Sequence, residues 1–254
     1  MPRMRQFTAA VRSQRLIAEG TREITFDWQA EPPIPGQFFS LRSHDGSDPL
    51  LRRPFAFSGF DAAAGQARCI YLQRGRSTIA LAGLAPGAEL DLLGPLGKSF
   101  PLPATGQRPV LVSGGIGLGP ILFLHARLAG LGLNPLFVYG ARSARLVPAA
   151  VLPADAVICT DDGSLGEQGT VLQAMQRRGW GADDLVYGCG PGPMLSALAK
   201  DCLAAGRRCI VSVEQHMACG IGACAACTVE AAGGGYLRTC YDGPVFDAKV
   251  LAWS

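Results

Sequence analysis

The sequence lacks a long hydrophobic run. Its most apolar stretch, residues 110–124, is short and is interrupted by glycines and a proline, so it cannot span a bilayer. The first eleven residues contain Arg3 and Arg5 but neither the apolar core nor the cleavage site of a secretory signal. We therefore expect a cytoplasmic protein without a membrane span.

The net charge is small, and the sequence has few histidines. A net charge of +3 gives no argument for binding nucleic acid or an anionic membrane. Charged residues make up 17% and hydrophobic residues 48% of the 254 residues, which indicates a globular chain long enough for two or three small domains. None of the three histidines lies in a motif with paired carboxylates, so no general acid–base site is visible. This argues for a chain that moves electrons and does not itself oxidise a carbon substrate.

Three segments differ in pattern. Residues 1–104 contain short strand candidates between turn formers, which predicts a small antiparallel barrel. Residues 105–212 alternate apolar strands with helical stretches, which predicts a parallel α/β sheet. Residues 213–254 carry clustered cysteines and little regular pattern. The three segments together predict a multidomain α+β chain. The strand candidates are 7–11, 23–28, 37–42, 67–73, 89–93, 110–113, 136–139, 156–159, 184–187 and 209–213, and the helix candidates are 78–83, 120–131, 170–178 and 193–205.

The cysteine pattern is the strongest signal. In a reducing compartment, nine cysteines suggest metal or redox chemistry rather than disulfides. Cys219, Cys224 and Cys227 have C-x4-C-x2-C spacing, which with Cys240 is the plant-type [2Fe–2S] pattern. The alternatives are a zinc site, which usually has two C-x2-C pairs, or four buried free thiols.

The residues between these cysteines are small. Gly220 and Gly222 are expected to adopt positive φ and to turn their N–H groups toward the cluster sulfurs. The cysteines outside this pattern and outside residues 186–194 are expected to be small buried hydrophobes: Cys69, Cys159, Cys202 and Cys209.

Two glycine turns predict a dinucleotide site. Residues 110–120 read as strand, glycine turn and helix start, although the spacing is not G-x-G-x-x-G. Residues 186–194 repeat that order, and two such turns at the carboxyl ends of parallel strands would face one crevice. A structural role for the glycines is the alternative. The candidate binding residues are Gly114, Gly115, Gly117, Gly119, Gly190 and Pro191.

Three further positions near this crevice have two interpretations each. Cys189 either lies near the reactive end of a nicotinamide, as a candidate catalytic residue, or is a packed thiol. Residues 160–164 either touch the cofactor ribose or form a polar turn. Arg142, Ser143 and Arg145 either hold a 2′-phosphate or lie in a solvated turn, so they leave NAD and NADP both open.

Together with Arg52–Ser58, these motifs give a family resemblance. The chain resembles the ferredoxin-reductase superfamily, in which a flavin-binding barrel precedes a nicotinamide-binding α/β domain. Residues 217–228 and 240–247 make it similar to the electron-transfer subunits of NAD-dependent (class 1B) dihydroorotate dehydrogenases. Residues 34–38 and 93–97 match the barrel of that family, and the resemblance covers essentially the whole chain. It implies an FAD domain at 1–104, an NAD domain at 105–212 and a [2Fe–2S] domain at 213–254.

The resemblance also implies flavin contacts. Arg53 would pair with the FAD pyrophosphate and residues 54–56 would line the isoalloxazine. The matching positions are Arg53, Pro54, Phe55 and Ala56, then Ile70, Tyr71 and Leu72 on a second strand, and Ser77 and Thr78 at a helix start. Departures from the family pattern are Ala56 for Ser, Leu72 for Arg, Ser77 for Gly and His216 for Arg.

The implied function is electron transfer to NAD. An FMN-containing TIM-barrel partner would oxidise dihydroorotate, and electrons would pass from FMN through the cluster and FAD to NAD+, with two copies of each subunit. FAD must stand between the one-electron cluster and the two-electron nicotinamide. The alternatives are a similar subunit of a sulfide dehydrogenase or transhydrogenase complex, and a cluster-binding module without turnover.

Overall fold

A computed structural model describes residues 3–43 and 49–253. The described residues of 5–43 and 49–96 form a seven-stranded antiparallel sheet in the order β4-β3-β7-β1-β2-β6-β5, together with a short helix, α1. Side chains alternate between the barrel interior and its outer face, as expected for antiparallel strands. The elements are β1 (Arg5–Ala18), β2 (Thr21–Asp27), β3 (Phe38–Arg42), β4 (Arg53–Ala56), β5 (Gly59–Asp61), β6 (Gln66–Leu72), α1 (Arg76–Ala82) and β7 (Glu89–Leu96).

An aromatic cluster fills the barrel, and a seam closes it. The Trp28 ring meets the rings of Phe7 and Phe57 edge to face, with centroids 5.0 and 4.8 Å apart. At the seam, the Phe55 ring on β4 lies 6.1 Å from the Tyr71 ring on β6. The two predicted flavin strands therefore meet where the barrel closes.

Residues 108–212 form a doubly wound sheet. Six parallel strands run in the order β11-β10-β9-β8-β12-β13, so the strand order reverses beside β8. Ligands bind at such switch points, outside the carboxyl ends of the strands. The elements are β8 (Arg108–Gly114), α2 (Leu118–Ala129), β9 (Leu136–Ala141), β10 (Val157–Thr160), β11 (Glu167–Gln168), α3 (Val171–Arg178), β12 (Asp184–Cys189), α4 (Gly192–Ala204) and β13 (Arg208–Ser212).

The C-terminal segment contacts both preceding units. Its last strand, β16, pairs antiparallel with β13 at the edge of the parallel sheet. Earlier in the segment, Cys227 and Cys240 pack against Phe38 and Leu96 of the barrel. The cysteines are thus held against the outer barrel wall. The elements are β14 (Thr228–Glu230), β15 (Tyr236–Arg238), α5 (Thr239–Asp242) and β16 (Val245–Asp247).

The expected fold class is confirmed: an antiparallel barrel, a mainly parallel α/β sheet and a small C-terminal unit. The domain limits at 104 and 212 remain predictions. Strand β1 is longer than the predicted 7–11, because its second half pairs with β2 while exposing residues such as Leu16, and so shows no alternation. Strand β16 makes the second sheet mixed rather than wholly parallel, and three residues are too few for a pattern to reveal it.

No helix within 3–43 or 49–253 has the length and apolar character needed to cross a membrane.

Candidate functional site

The four clustered cysteines form an inner and an outer pair. Cys227 and Cys240 are each 2% exposed and touch each other through their thiols. Cys219 and Cys224 also touch each other, and Cys224 is exposed to solvent. The site therefore has one pair against the barrel and one pair toward the surface.

Backbone N–H groups surround these sulfurs. The N–H of Ile221 donates to Cys219 Sγ at 3.4 Å, and the N–H of Gly222 donates to Cys240 Sγ at 3.1 Å. Partial burial opposes ionisation of Cys219, but hydrogen bonds from the loop backbone outweigh it and lower the pKa of this thiol to about 6. Gly220 and Gly222 have φ of +72° and +87°, which confirms the predicted loop conformation. The loop backbone therefore stabilises negative charge on the Cys219 sulfur, whereas burial raises the pKa of Cys240 to about 12.

This donor set fits a [2Fe–2S] cluster. In the described ranges, no three His, Cys, Asp or Glu side chains are arranged as they would be around a single metal ion. A [2Fe–2S] cluster instead needs two thiolates for each iron, and the outer and inner pairs supply them. Assignment of these four cysteines as the ligands remains a prediction supported by this geometry.

Arg238 holds the cysteine loop in place, and sequence reasoning missed it. Its Nη1 donates to the carbonyl oxygen of Gly222 at 3.0 Å, and its Nε donates to Asp242 at 3.3 Å. The guanidinium carbon also lies 4.5 Å from the centroid of the Tyr241 ring. No motif marks Arg238, because its partners come from both ends of the cysteine pattern. A guanidinium thus links the glycine loop to the helix that carries Cys240.

The two glycine turns lie against each other, as the spacing predicts. A Cβ on Gly117 would lie 2.3 Å from the carbonyl oxygen of Cys189. A Cβ on Gly190 would lie 3.1 Å from the backbone nitrogen of Gly114 and 2.6 Å from the Met194 side chain. Helices α2 and α4 begin directly after these turns, so two helix N-termini flank one crevice. The crevice suits a pyrophosphate; which turn residues bind it remains a prediction.

Cys189 stands in a row of hydroxyl-bearing side chains. In the parallel register it pairs with Ser113 on β8 and with Ser212 on β13. Burial raises the pKa of the Cys189 thiol to about 12, against a hydrogen bond with Ser212 that lowers it. This raised pKa favours the protonated thiol at neutral pH, and the placement of Cys189 near a nicotinamide remains a prediction. The buried Ser113 hydroxyl has no hydrogen-bond partner within 3–43 and 49–253.

The predicted flavin residues on β4 and β6 meet at the barrel seam. Arg53 is half-buried on edge strand β4, and its Nη1 donates to the carbonyl oxygen of Leu51 at 2.8 Å. Among the residues described it has no carboxylate partner, whereas its neighbour Arg52 is bound to Asp91. The Arg53 guanidinium is therefore available to a phosphate group, and its pairing with the FAD pyrophosphate remains a prediction.

The other residues predicted to contact FAD differ in their burial and in their contacts. Tyr71 is 1% exposed and its hydroxyl donates to Gln14, so its ring is buried in the barrel core, where it meets the Phe55 ring. The Thr78 hydroxyl accepts from the N–H groups of Arg74 and Gly75 at the start of α1. Ile70 belongs to the same buried cluster as Leu118 of α2, and a Cβ on Gly119 would lie 4.0 Å from Ile70 Cβ, so β6 faces α2. The FAD roles of these residues remain predictions.

The seam and the crevice adjoin. A Cβ on Gly119, in the first turn of α2, would lie 3.6 Å from Ser58 Cβ, which follows β4. The Ser58 hydroxyl is buried without a hydrogen-bond partner in the described chain. These positions bring the flavin strands and the glycine turns to one boundary between barrel and sheet, which suits flavin and nicotinamide rings that must meet.

Comparisons with known proteins agree with this arrangement. The family model of the iron–sulfur cluster binding domain of dihydroorotate dehydrogenase B matches residues 214–252. A curated "Dihydroorotate dehydrogenase B (NAD(+)), electron transfer subunit" from Geobacillus thermodenitrificans is 43% identical, over 93% of this chain and 94% of the relative. A subunit of the same name from Desulforamulus reducens is 35% identical, over 97% and 98%.

Solved structures show the same fold. An NADH-dependent reduced ferredoxin-NADP oxidoreductase, described in connection with flavin-based electron bifurcation, superposes with a TM-score of 0.84 at 25% identity. That match covers 96% of this chain and 89% of the other. The ferredoxin reductase of carbazole 1,9a-dioxygenase superposes with a TM-score of 0.69 at 21% identity, covering 80% and 67%. The paired cysteines on the barrel wall and the seam beside the two glycine turns are consistent with these relatives, which match the chain nearly end to end. The chain therefore belongs to the family of electron transfer subunits of NAD+-dependent dihydroorotate dehydrogenase B.

Proposed function

We propose that this chain passes electrons from the FMN of a separate dihydroorotate-oxidising subunit, through a [2Fe–2S] cluster and FAD, to NAD+. The observation that carries the proposal is the pairing of the cysteines on the barrel wall, with Cys224 exposed, in a chain whose barrel seam adjoins a dinucleotide crevice. The names of the end-to-end relatives support the partner. When bound, FAD supplies the conversion between one-electron and two-electron transfer.

The residues of this chain hold and separate the reacting groups. Cys219, Cys224, Cys227 and Cys240 hold the cluster, with backbone N–H groups stabilising its sulfurs. Arg53 holds the FAD pyrophosphate at the seam. The turns at 114–119 and 190–191 hold the NAD pyrophosphate, with helix N-termini beside it.

The outer cysteine pair is the side of the site that a partner can approach. Cys224 is exposed, Ile221 of the same loop is 43% exposed, and Tyr241, which lies next to Gly222, is 41% exposed. We place the contact with the FMN subunit here, in a complex with two copies of each chain. Nine free cysteines support a reducing, cytoplasmic location.

The test is coupled turnover. The chain is co-expressed with the dihydroorotate dehydrogenase catalytic subunit of the same genome, purified without oxygen and assayed for dihydroorotate-dependent NAD+ reduction. Cys224→Ser should abolish this turnover and lower the iron content, because serine is a poor cluster ligand. The control Cys202→Ala changes a buried cysteine in the sheet core and should keep iron and turnover.

Two results would overturn the assignment in different ways. A chain that holds FAD and cluster and reduces dyes with NADH, yet neither binds nor serves that catalytic subunit, belongs to another complex, such as a sulfide dehydrogenase or a transhydrogenase. A chain that holds the cluster but shows no NADH-dependent dye reduction would be a binding module without turnover.

A further inference from the structure

A barrel residue reaches the loop where a coenzyme's adenosine ribose is expected. In doubly wound sheets, the strand beside the one that carries the glycine turn ends near this ribose, and its following residues read the 2′ position. Here that strand is β9, and residues 142–145 follow it. Ser143 in this loop has a buried hydroxyl oxygen with no partner in the described chain. A polar ligand at this loop would satisfy it.

Glu19 forms an ion pair with Arg145, one of the two arginines of this loop. It lies in the turn between β1 and β2, and its Oε1 accepts from Arg145 Nη1 at 2.5 Å. The backbone N–H of Glu19 also donates to the carbonyl oxygen of Arg145 at 3.0 Å. The backbone contact keeps the turn docked whatever the Glu19 side chain is, so the carboxylate can be changed without moving the loop.

The remaining charges around the loop nearly cancel. Arg142 is exposed and has no ion pair among the residues described here. Against it stands Asp162, which is linked to the loop because its carboxylate accepts from the Ser164 hydroxyl, and Ser164 Oγ accepts from the N–H of Ala144. A 2′-phosphate dianion would meet the unpaired guanidinium of Arg142, the carboxylate of Asp162 and the Glu19–Arg145 ion pair, whereas a 2′-hydroxyl would carry no charge into this region.

We propose that Glu19 is a specificity-determining residue that selects NAD over NADP, by pairing with Arg145 and by placing a negative charge beside the 2′ position. The inference rests on the proposed NAD site and adds what decides between the two coenzymes. Glu19 acts through Arg145, so it is a positioning residue rather than one that touches the reacting atoms.

The experiment measures coenzyme binding to the holoprotein by titration calorimetry with NAD+ and NADP+. Glu19→Gln should improve NADP+ affinity relative to NAD+ by about three- to fivefold at low salt, the range expected for an exposed ion pair. The gain should shrink at high ionic strength, where exposed charges are screened. Glu89→Gln, at an exposed glutamate of β7, is the matched control and should leave the ratio unchanged.

A second variant separates the effect of the released Arg145 guanidinium from the effect of the lost Glu19 charge. In a Glu19→Gln, Arg145→Ala double variant, the gain in NADP+ affinity should fall to the part due to lost repulsion alone, because the released guanidinium is gone. The proposal is overturned if Glu19→Gln leaves the ratio of NADP+ to NAD+ affinity unchanged at low salt. It is also overturned if the double variant retains the whole gain. If the unaltered holoprotein binds neither coenzyme, the proposed function itself fails, which is a different result.

Discussion

The carbonyl oxygen of Cys189 lies 2.3 Å from the point where a Cβ on Gly117 would stand. Gly117 has an ordinary helical φ of −63°, so the close approach of the two turns, and not backbone conformation, requires glycine here. The backbone of Cys189 can lie this close to the first turn because Gly117 has no side chain.

Gly117→Ala should therefore force the two turns apart. Overpacking of this kind costs about 1–3 kcal/mol of stability, and the displaced turns should bind NAD+ more weakly. Thermal unfolding and NAD+ titration measure the two effects. Gly233→Ala is the control, since Gly233 lies outside both turns and a Cβ there would meet nothing within 4 Å. Equal behaviour of the two variants would contradict the close-approach argument.

Arg52 and Arg53 are adjacent but should respond differently to truncation. Arg53→Ala should lower FAD retention by about tenfold or more, because a charge-assisted hydrogen bond to phosphate is lost. Arg52→Ala should keep FAD and lose some stability, since Arg52 is bound to Asp91. Flavin released on gel filtration, measured by its absorbance, distinguishes them. Equal FAD loss in both variants would remove Arg53 from the phosphate site.

Arg238 should govern how firmly the cluster is held. Arg238→Lys keeps the charge but cannot bind Gly222 and Asp242 together while stacking on Tyr241. We expect iron to be lost in air several-fold faster than from the unaltered protein, followed by decay of the visible cluster absorbance. The control is Arg177→Lys on α3, where the arginine forms an exposed ion pair with Glu167 of β11. If both variants lose iron at the unaltered rate, Arg238 has no role in cluster retention.

Asp184 should make the stability of the parallel sheet depend on acid pH. Burial would raise the pKa of this carboxyl, but hydrogen bonds from Arg108 and from the Gly181 N–H outweigh it and lower the pKa below its usual value. A lowered folded-state pKa gives stability that is present above about pH 4 and is lost as pH falls through the folded pKa.

Asp184→Asn should cost about 2 kcal/mol near pH 7 and flatten the decline in acid. Denaturant unfolding between pH 3 and pH 7 measures both effects. Asp183→Asn, an exposed neighbour, should leave the curve unchanged. A parallel downward shift of the Asp184→Asn curve, with the same acid slope, would refute the linkage.

The sequence was most informative where chemistry fixes residue type and spacing. The cysteine spacing and the two glycine turns predicted their positions in the fold, because cluster ligation and close backbone approach tolerate few substitutes. The parallel strands were predicted for a similar reason: strands buried on both faces, such as β12, are continuously apolar.

Contacts made across the chain could not be predicted from pattern. Arg238 meets Gly222 only after the loop closes, and Glu19 meets Arg145 only after the barrel docks on the sheet. Tyr71 matched a flavin strand by sequence, yet alternation along β6 turns its ring into the barrel. Such contacts follow from tertiary packing, which single-sequence patterns do not encode.

Strand β16 has a consequence for solubility. It supplies the last hydrogen-bonded neighbour of β13, through pairs that join Ser212 with Val245 and Ile210 with Asp247. Without it, β13 would present an open row of backbone donors and acceptors, flanked by apolar side chains, to other copies of the chain. A chain cut before β16 is therefore expected to aggregate through β13, so the cysteine-bearing segment also shields the coenzyme sheet from self-association.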